Sequence, residues 1–210
     1  MDKIDVIQKI KEEKIISIIR SESQDEIEKI IDSIVLGGVH LIEITMTVPN
    51  AVNIITGLVE KYKNTDVVIG AGTVLDSETA RLVINAGASF IVSPIFNRDL
   101  MKMCNRYRVL MIPGIATPTE ANKAMEHGAD IVKLFPRNAY SPDIIKVFRG
   151  PFPYIQILPT GNISLENANE WIKNGAIAIG VGGEIVNPAK NGDFEKTTEM
   201  ARLFKEKVNL

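Results

Sequence analysis

The chain is poor in the residues that most directly announce chemistry. Its 210 residues include one cysteine, Cys104, and two histidines, His40 and His127. A single cysteine excludes an internal disulfide and fits a reducing compartment. Neither histidine has a second His or Cys at ligand spacing, so neither a His-rich divalent-metal site nor a Ser-His-Asp triad is expected, and no cofactor is implied. An excess of one charge is also missing. Lys and Arg number 24, Asp and Glu 26, and the net charge of −2 gives no electrostatic case for nucleic acid or a membrane surface. Long apolar runs are absent too: nothing approaches the ~18 residues of a membrane span, and Met1 to Lys14 is amphipathic and charged, without a signal-peptide core. A cytoplasmic protein is expected. Its chemistry must come from lysine, carboxylates, hydroxyls and backbone groups.

What the chain has is apolar segments in rhythm. Eight strand candidates recur: Lys14–Arg20, Leu41–Met46, Val67–Gly72, Phe90–Ile95, Val109–Ile115, Ile131–Pro136, Ile155–Gly161 and Ala176–Gly182. They are rich in Ile and Val and nearly continuous in apolarity, as strands covered on both faces are. Their starts lie 19 to 27 residues apart, room for one strand and one helix. Helix signals fill the intervals. Ser23-Gln24-Asp25-Glu26 and Thr117-Pro118-Thr119-Glu120 read as capping boxes. Pro49-Asn50, Asp76-Ser77-Glu78, Asn97, Ser141-Pro142-Asp143 and Ser164-Leu165-Glu166 open further helices, and Asp193 to Val208 is a terminal one. Alternation of this kind means a parallel sheet. Eight units predict a (β/α)₈ TIM barrel in a single domain, 1–210, with a short N-terminal helix before the first strand. The competing architecture is an open doubly wound sheet, but no G-x-G-x-x-G follows the first strand.

In such a barrel the reactive groups lie at the C-terminal ends of the strands, and polar residues and glycines cluster there. Two charges stand out inside apolar strands. Lys133 sits within Ile131-Val132-Lys133-Leu134-Phe135-Pro136, either snorkelling to water at an edge or desolvated into an amine nucleophile of Schiff-base type. Glu43 sits within Leu41-Ile42-Glu43-Ile44-Thr45. Strand period two places Glu43, Thr45 and Thr47 on one face, and Lys133 and Phe135 on one face. If both faces point inward, the two charges approach each other, either as a structural ion pair or as an imine-forming lysine beside its proton shuttle. Arg20 ends the first strand, either solvated or holding a substrate carboxylate. Thr73 follows Gly70-Ala71-Gly72, where backbone and hydroxyl suit a carboxylate. Gly161 and Gly182-Gly183 end the last two strands, as tight turns or as phosphate-binding loops.

Several blocks resemble a known family. Gly37-Gly38-Val39-His40-Leu41-Ile42-Glu43-Ile44-Thr45, Gly70-Ala71-Gly72-Thr73-Val74-Leu75, Phe90-Ile91-Val92-Ser93-Pro94, Val132-Lys133-Leu134-Phe135-Pro136, Gly150-Pro151-Phe152-Pro153 and Pro159-Thr160-Gly161 are similar to the 2-keto-3-deoxy-6-phosphogluconate (KDPG) and 4-hydroxy-2-oxoglutarate (KHG) aldolases. The resemblance implies a metal-independent class I aldolase on a (β/α)₈ barrel, usually a homotrimer, acting on a small 2-keto acid. It implies Lys133 as the Schiff-base lysine, Glu43 as general acid and base, Thr73 as a pyruvate-carboxylate ligand, Pro94 and Phe135 as walls of the pyruvate pocket, and Gly161, Gly182 and Gly183 as phosphate-binding positions. Some members hold the carboxylate with an arginine where this chain has Thr47; others, like this chain, have threonine there and an arginine ending the first strand, which gives the role to Arg20. Asn162 and Glu184 replace a glycine and a small or hydroxyl residue at the phosphate end, where a carboxylate repels a dianion. Phosphorylated and unphosphorylated keto-deoxy acids therefore both remain open as substrates, and so does a non-catalytic keto-acid-binding barrel.

Overall fold

The structure is a computed structural model that describes residues 1–21, 24–136 and 140–210. Nine strands are present among the described residues: β1 (Ile15–Ile19), β2 (Leu41–Thr45), β3 (Val68–Gly72), β4 (Phe90–Val92), β5 (Leu110–Ile112), β6 (Gly114–Ile115), β7 (Val132–Leu134), β8 (Ile157–Pro159) and β9 (Ile179–Val181). The helices are α1 (Lys3–Glu13), α2 (Gln24–Leu36), α3 (Ala51–Lys61), α4 (Ser77–Asn85), α5 (Arg98–Tyr107), α6 (Pro118–Glu126), α7 (Ile144–Arg149), α8 (Ala168–Lys173), α9 (Gly183–Lys190) and α10 (Phe194–Lys207). Among the described residues, no helix is long and apolar enough to cross a membrane.

Several helix starts follow from local chemistry. Asp76 accepts from the Thr79 amide at 2.6 Å, and Asn97 accepts from the Asp99 and Leu100 amides, each satisfying donors that a helix leaves open at its first turn. Thr117 and Glu120 form the expected reciprocal capping box. Ser23 of the other expected capping box lies outside the described residues. The helix expected to open at Ser164 begins at Ala168, because Ser164 donates its amide to the Asn167 side chain in a turn instead. The helix α9 is not among those expected from sequence: it contains two poor helix formers, Gly183 at its first position and Pro188 in its interior.

The strands are parallel and fall into two sheets, ordered β5-β4-β3-β2-β1-β9 and β6-β7-β8. The predicted strand Val109–Ile115 is thus two strands. The break is Pro113, which has no N–H to give to a ladder, though its carbonyl still accepts from the Lys133 amide at 2.8 Å. At the other boundary Thr160 bridges in parallel to Gly180, and Ile177 donates to the Ile157 carbonyl at 3.0 Å.

Burial splits along the strands with period two. Ile15, Ile42, Ile44, Ile69, Ile91, Val132, Leu134 and Ile157 pack with helix residues such as Ile27, Ile31, Ala80 and Phe204 in one apolar cluster. Their neighbours Ile16, Leu41, Val68, Phe90, Leu110, Ile131 and Leu158 form a second cluster together with Val6 and Ile10 of α1. At roughly 25 cal/mol per Å² of apolar surface, both faces of every strand gain from burial, which is why the sequence shows apolar runs rather than alternation. The helix α1 covers the second cluster where the strands begin. It is held there by Glu13, which pairs with Lys205 of α10, with His40 Nδ1 at 3.1 Å and with Lys9 at 3.5 Å. The strand ends opposite α1 are left for chemistry.

Candidate active site

Following the second cluster up the strands leads from apolar to polar. Two residues beyond Leu41 on the same face of β2 is Glu43, and two beyond Ile131 on the same face of β7 is Lys133. Both are almost fully buried, at 3% and 2% exposure. They come from different sheets, and each acts electrostatically on the other. Burial drives the Glu43 carboxyl above the ordinary carboxylate range, against the opposing pull of Lys133 and Arg20. Burial likewise drives the Lys133 amine below the ordinary lysine value; Glu43 works against that shift and Arg20 reinforces it. Burial therefore favours the uncharged form of each member of the pair. Glu43 Oε1 has no hydrogen-bond partner among the described residues.

The neighbours show how the sequence makes room for this. On the inward face of β3, a Cβ at Gly70 would lie 2.4 Å from the Phe90 ring, and one at Gly72 would lie 1.8 Å from Glu43 Oε1. These two glycines let an aromatic ring and a carboxylate occupy space that any other residue would fill. Phe135 stands beside Lys133, with Nζ 5.1 Å from the ring centroid.

A cavity of about 250 Å³ opens over the ends of β1, β7, β8 and β9. Six of the residues singled out by sequence line it: Arg20, Phe135, Gly161, Asn162, Gly182 and Gly183. Five lining residues had no site role assigned from sequence: Thr160 and Gly180, which stand at strand ends, and Ile18, Val186 and Lys190. Period two from Leu158 points to Thr160, and from Gly182 to Gly180, so that signal was present; Val186 and Lys190 lie on α9 and carried none. Thr160 is 5% exposed and its hydroxyl has no partner among the described residues. Asn162 follows Gly161, and both have positive φ, 48° and 101°. Asn is among the few residues with a side chain that visit that region readily, so the departure from glycine keeps the turn.

Lys133, Glu43, Thr47, Thr73, Pro94 and Glu184 are not part of that wall. Phe135, whose ring centroid is 5.1 Å from Lys133 Nζ, does line the wall. The exposed Thr47 shares a 2.7 Å hydroxyl contact with Thr45, which donates to the Ile19 carbonyl at 3.2 Å, tying the end of β2 to the residue before Arg20. Thr73 has φ of 56°, a strained value for a β-branched residue. Pro94 packs its carbonyl where a Cβ on Gly114 would stand, at 2.2 Å. Glu184 is exposed on the first turn of α9. Among the described residues, no group of three or more His, Cys, Asp or Glu is placed to hold a metal ion.

Comparison with known proteins identifies the family. A family model described as KDPG and KHG aldolase matches residues 6–200. The chain is 31% identical to the 2-dehydro-3-deoxy-phosphogluconate aldolase of Haemophilus influenzae over 98% of its own length and 96% of the relative's. It is 31% identical to the KHG/KDPG aldolase of Escherichia coli over 85% and 84% of the two chains. The KDPG aldolase of Legionella pneumophila, solved with pyruvate as a covalent carbinolamine intermediate, superposes with a TM-score of 0.87 at 26% identity over 93% of this chain and 96% of that one. The chain has an α/β fold with parallel sheets matching those aldolases, and it belongs to the KDPG and KHG aldolase family of carbon–carbon lyases.

Proposed function

We propose that this protein is a class I aldolase that cleaves 2-keto-4-hydroxy acids to pyruvate and an aldehyde. The substrate is KDPG, giving glyceraldehyde 3-phosphate, or 4-hydroxy-2-oxoglutarate, giving glyoxylate, or both. The observation that carries this reading is the buried pair of Lys133 and Glu43, with its amine shifted down and its carboxyl shifted up. A neutral amine is what attacks a ketone, and a protonated carboxyl is what expels water from the adduct.

The reaction begins with Glu43 protonated and Lys133 neutral. The Lys133 nitrogen attacks the C2 ketone, and its surplus proton passes to the new alkoxide to give a carbinolamine. Glu43 protonates that hydroxyl, water leaves, and an iminium forms. The Glu43 carboxylate takes the proton of the C4 hydroxyl. The C3–C4 bond breaks, its electron pair flows into the iminium to give an enamine, and the aldehyde departs. Glu43 then protonates C3, takes a proton from the water that adds to C2, and the carbinolamine collapses to pyruvate and free Lys133. Arg20 and Thr73 hold the substrate carboxylate, with Thr47 supporting the end of β2. Phe135 and Pro94 bound the pyruvate, and Gly161, Asn162, Gly182 and Gly183 face the distal end.

We also propose that the two sheets close into one eight-stranded (β/α)₈ barrel forming a single domain over 1–210. The bridge from Thr160 to Gly180 at one boundary and the one-residue gap at Pro113 at the other support this. Resemblance to the family supports a cytoplasmic homotrimer, which light scattering in solution tests. The function is tested by supplying KDPG or 4-hydroxy-2-oxoglutarate and following pyruvate with lactate dehydrogenase and NADH. Pyruvate release from neither substrate contradicts the reading.

A further inference from the structure

The helix α9 gives the cavity a feature that the sequence did not suggest. Three of its residues, Gly183, Val186 and Lys190, line the wall. Their spacing of i, i+3 and i+7 puts them on one face of the helix. Glu184, one position from Gly183, is turned about 100° away from that face. Helical side chains lean toward the N-terminus of their helix, which from Lys190 is the direction of Gly182 and Gly183. It has no ion-pair partner among the described residues.

The charges in this wall are Arg20 and Lys190, with no carboxylate among the lining residues. The two cations differ in what they reach. Arg20 acts electrostatically on both Glu43 and Lys133, whereas Lys190 acts appreciably on neither. Arg20 thus belongs to the reacting end and Lys190 to the far end. Thr160, whose buried hydroxyl has no partner among the described residues, lines the same wall.

We propose that Lys190 is a specificity-determining residue, whose ammonium binds the phosphate of a phosphorylated keto-deoxy acid at the end of the cavity remote from Lys133. The proposal rests on the aldolase reading above and deepens it by assigning a counter-charge for the distal anion. It also changes the expectation raised by Glu184, since the acidic residue of α9 points off the wall and the basic one lines it.

The test compares kcat/KM for KDPG with that for its unphosphorylated analogue in wild type, Lys190→Gln and Lys190→Arg. The expected result is a fall in the phosphorylated-to-unphosphorylated ratio of about tenfold in K190Q, the size of one charge-assisted hydrogen bond, and recovery of most of it in K190R. An unchanged ratio in K190Q overturns the proposal, as does an equal loss on both substrates. A second measurement does not depend on turnover: acetylation of wild-type protein with and without inorganic phosphate, read by peptide mass. Phosphate is expected to protect Lys190 and not Lys102, which lies on α5; no protection of Lys190 overturns the proposal. If Lys133 forms no adduct with pyruvate while phosphate still protects Lys190, the aldolase mechanism has failed and the anion site stands.

Discussion

The carboxylate of Glu43 occupies the volume that a side chain on Gly72 would need: a Cβ there would lie 1.8 Å from Glu43 Oε1. Gly72 has an ordinary strand φ, so the requirement is steric rather than conformational. Gly72→Ala is expected to displace the carboxylate and lower kcat about 100-fold, the scale on which losing a general acid–base acts. It should also destabilise the fold by roughly 1–3 kcal/mol. In a Glu43→Ala background the same change should cost almost nothing. Denaturant unfolding of the two singles and the double measures this coupling, and full additivity would show that the two residues do not share the space.

Glu43 should be an activity residue kept at the expense of stability. Burial raises its carboxyl above the unfolded value, so the folded chain holds a proton that the unfolded chain releases. Stability from this group is present below the unfolded pKa and is lost as pH rises through the folded one. Glu43→Gln is therefore expected to raise Tm at pH 7 by about 2–4 °C per kcal/mol recovered, with little gain at pH 4, while abolishing aldol cleavage. A lower Tm at pH 7 would mean that the ionised carboxylate stabilises the fold.

Glu13 predicts the opposite slope. Burial pushes its carboxyl up, but hydrogen bonds from Lys205 and His40 outweigh this and leave it below the ordinary value. Its contribution is present above the unfolded pKa and lost as pH falls through the folded one. Glu13→Gln should destabilise by about 1–3 kcal/mol at pH 7 and by much less at pH 3, measured by urea unfolding, with kcat unchanged because the cluster lies beside α1. An equal effect at both pH values would remove the charged form from the account.

Thr73 holds a φ of 56°, a conformation that costs a β-branched residue on the order of 1–3 kcal/mol. Thr73→Gly should relieve that strain, partly offset by the freedom glycine gains in the unfolded chain, and leave stability equal or slightly higher. The loss should appear in KM for the keto acid, about tenfold for one hydroxyl hydrogen bond to a carboxylate. Lower stability with unchanged KM would make Thr73 a structural residue only.

Much of the site was legible because strand periodicity is local. A charge within Leu41–Thr45 or Ile131–Pro136 is anomalous on sight, and period two turns both inward. Phe135 shares the face of Lys133 by the same rule, and Gly161, Gly182 and Gly183 stood out because they end strands. Lys190 did not, since Gly182-Gly183 and Pro188 concealed the helix that carries it. Pro113 concealed a break between β5 and β6 inside an apolar run that read as one strand. Thr160 is revealed as a cavity residue by burial and by its unpartnered hydroxyl, which depend on contacts with β9 that lie outside its own segment.

The measurement that bears most directly on the central claim is borohydride reduction in the presence of pyruvate, followed by intact mass and peptide mapping across a pH series. The account predicts one reduced-pyruvate adduct per chain, on Lys133, already forming at pH 7 because burial holds this amine below the ordinary lysine value. The adduct should be absent in Lys133→Arg. No adduct, or an adduct distributed over surface lysines and growing only toward pH 10, the ordinary range for lysine, would contradict the account and leave Lys133 a buried charge without a chemical role.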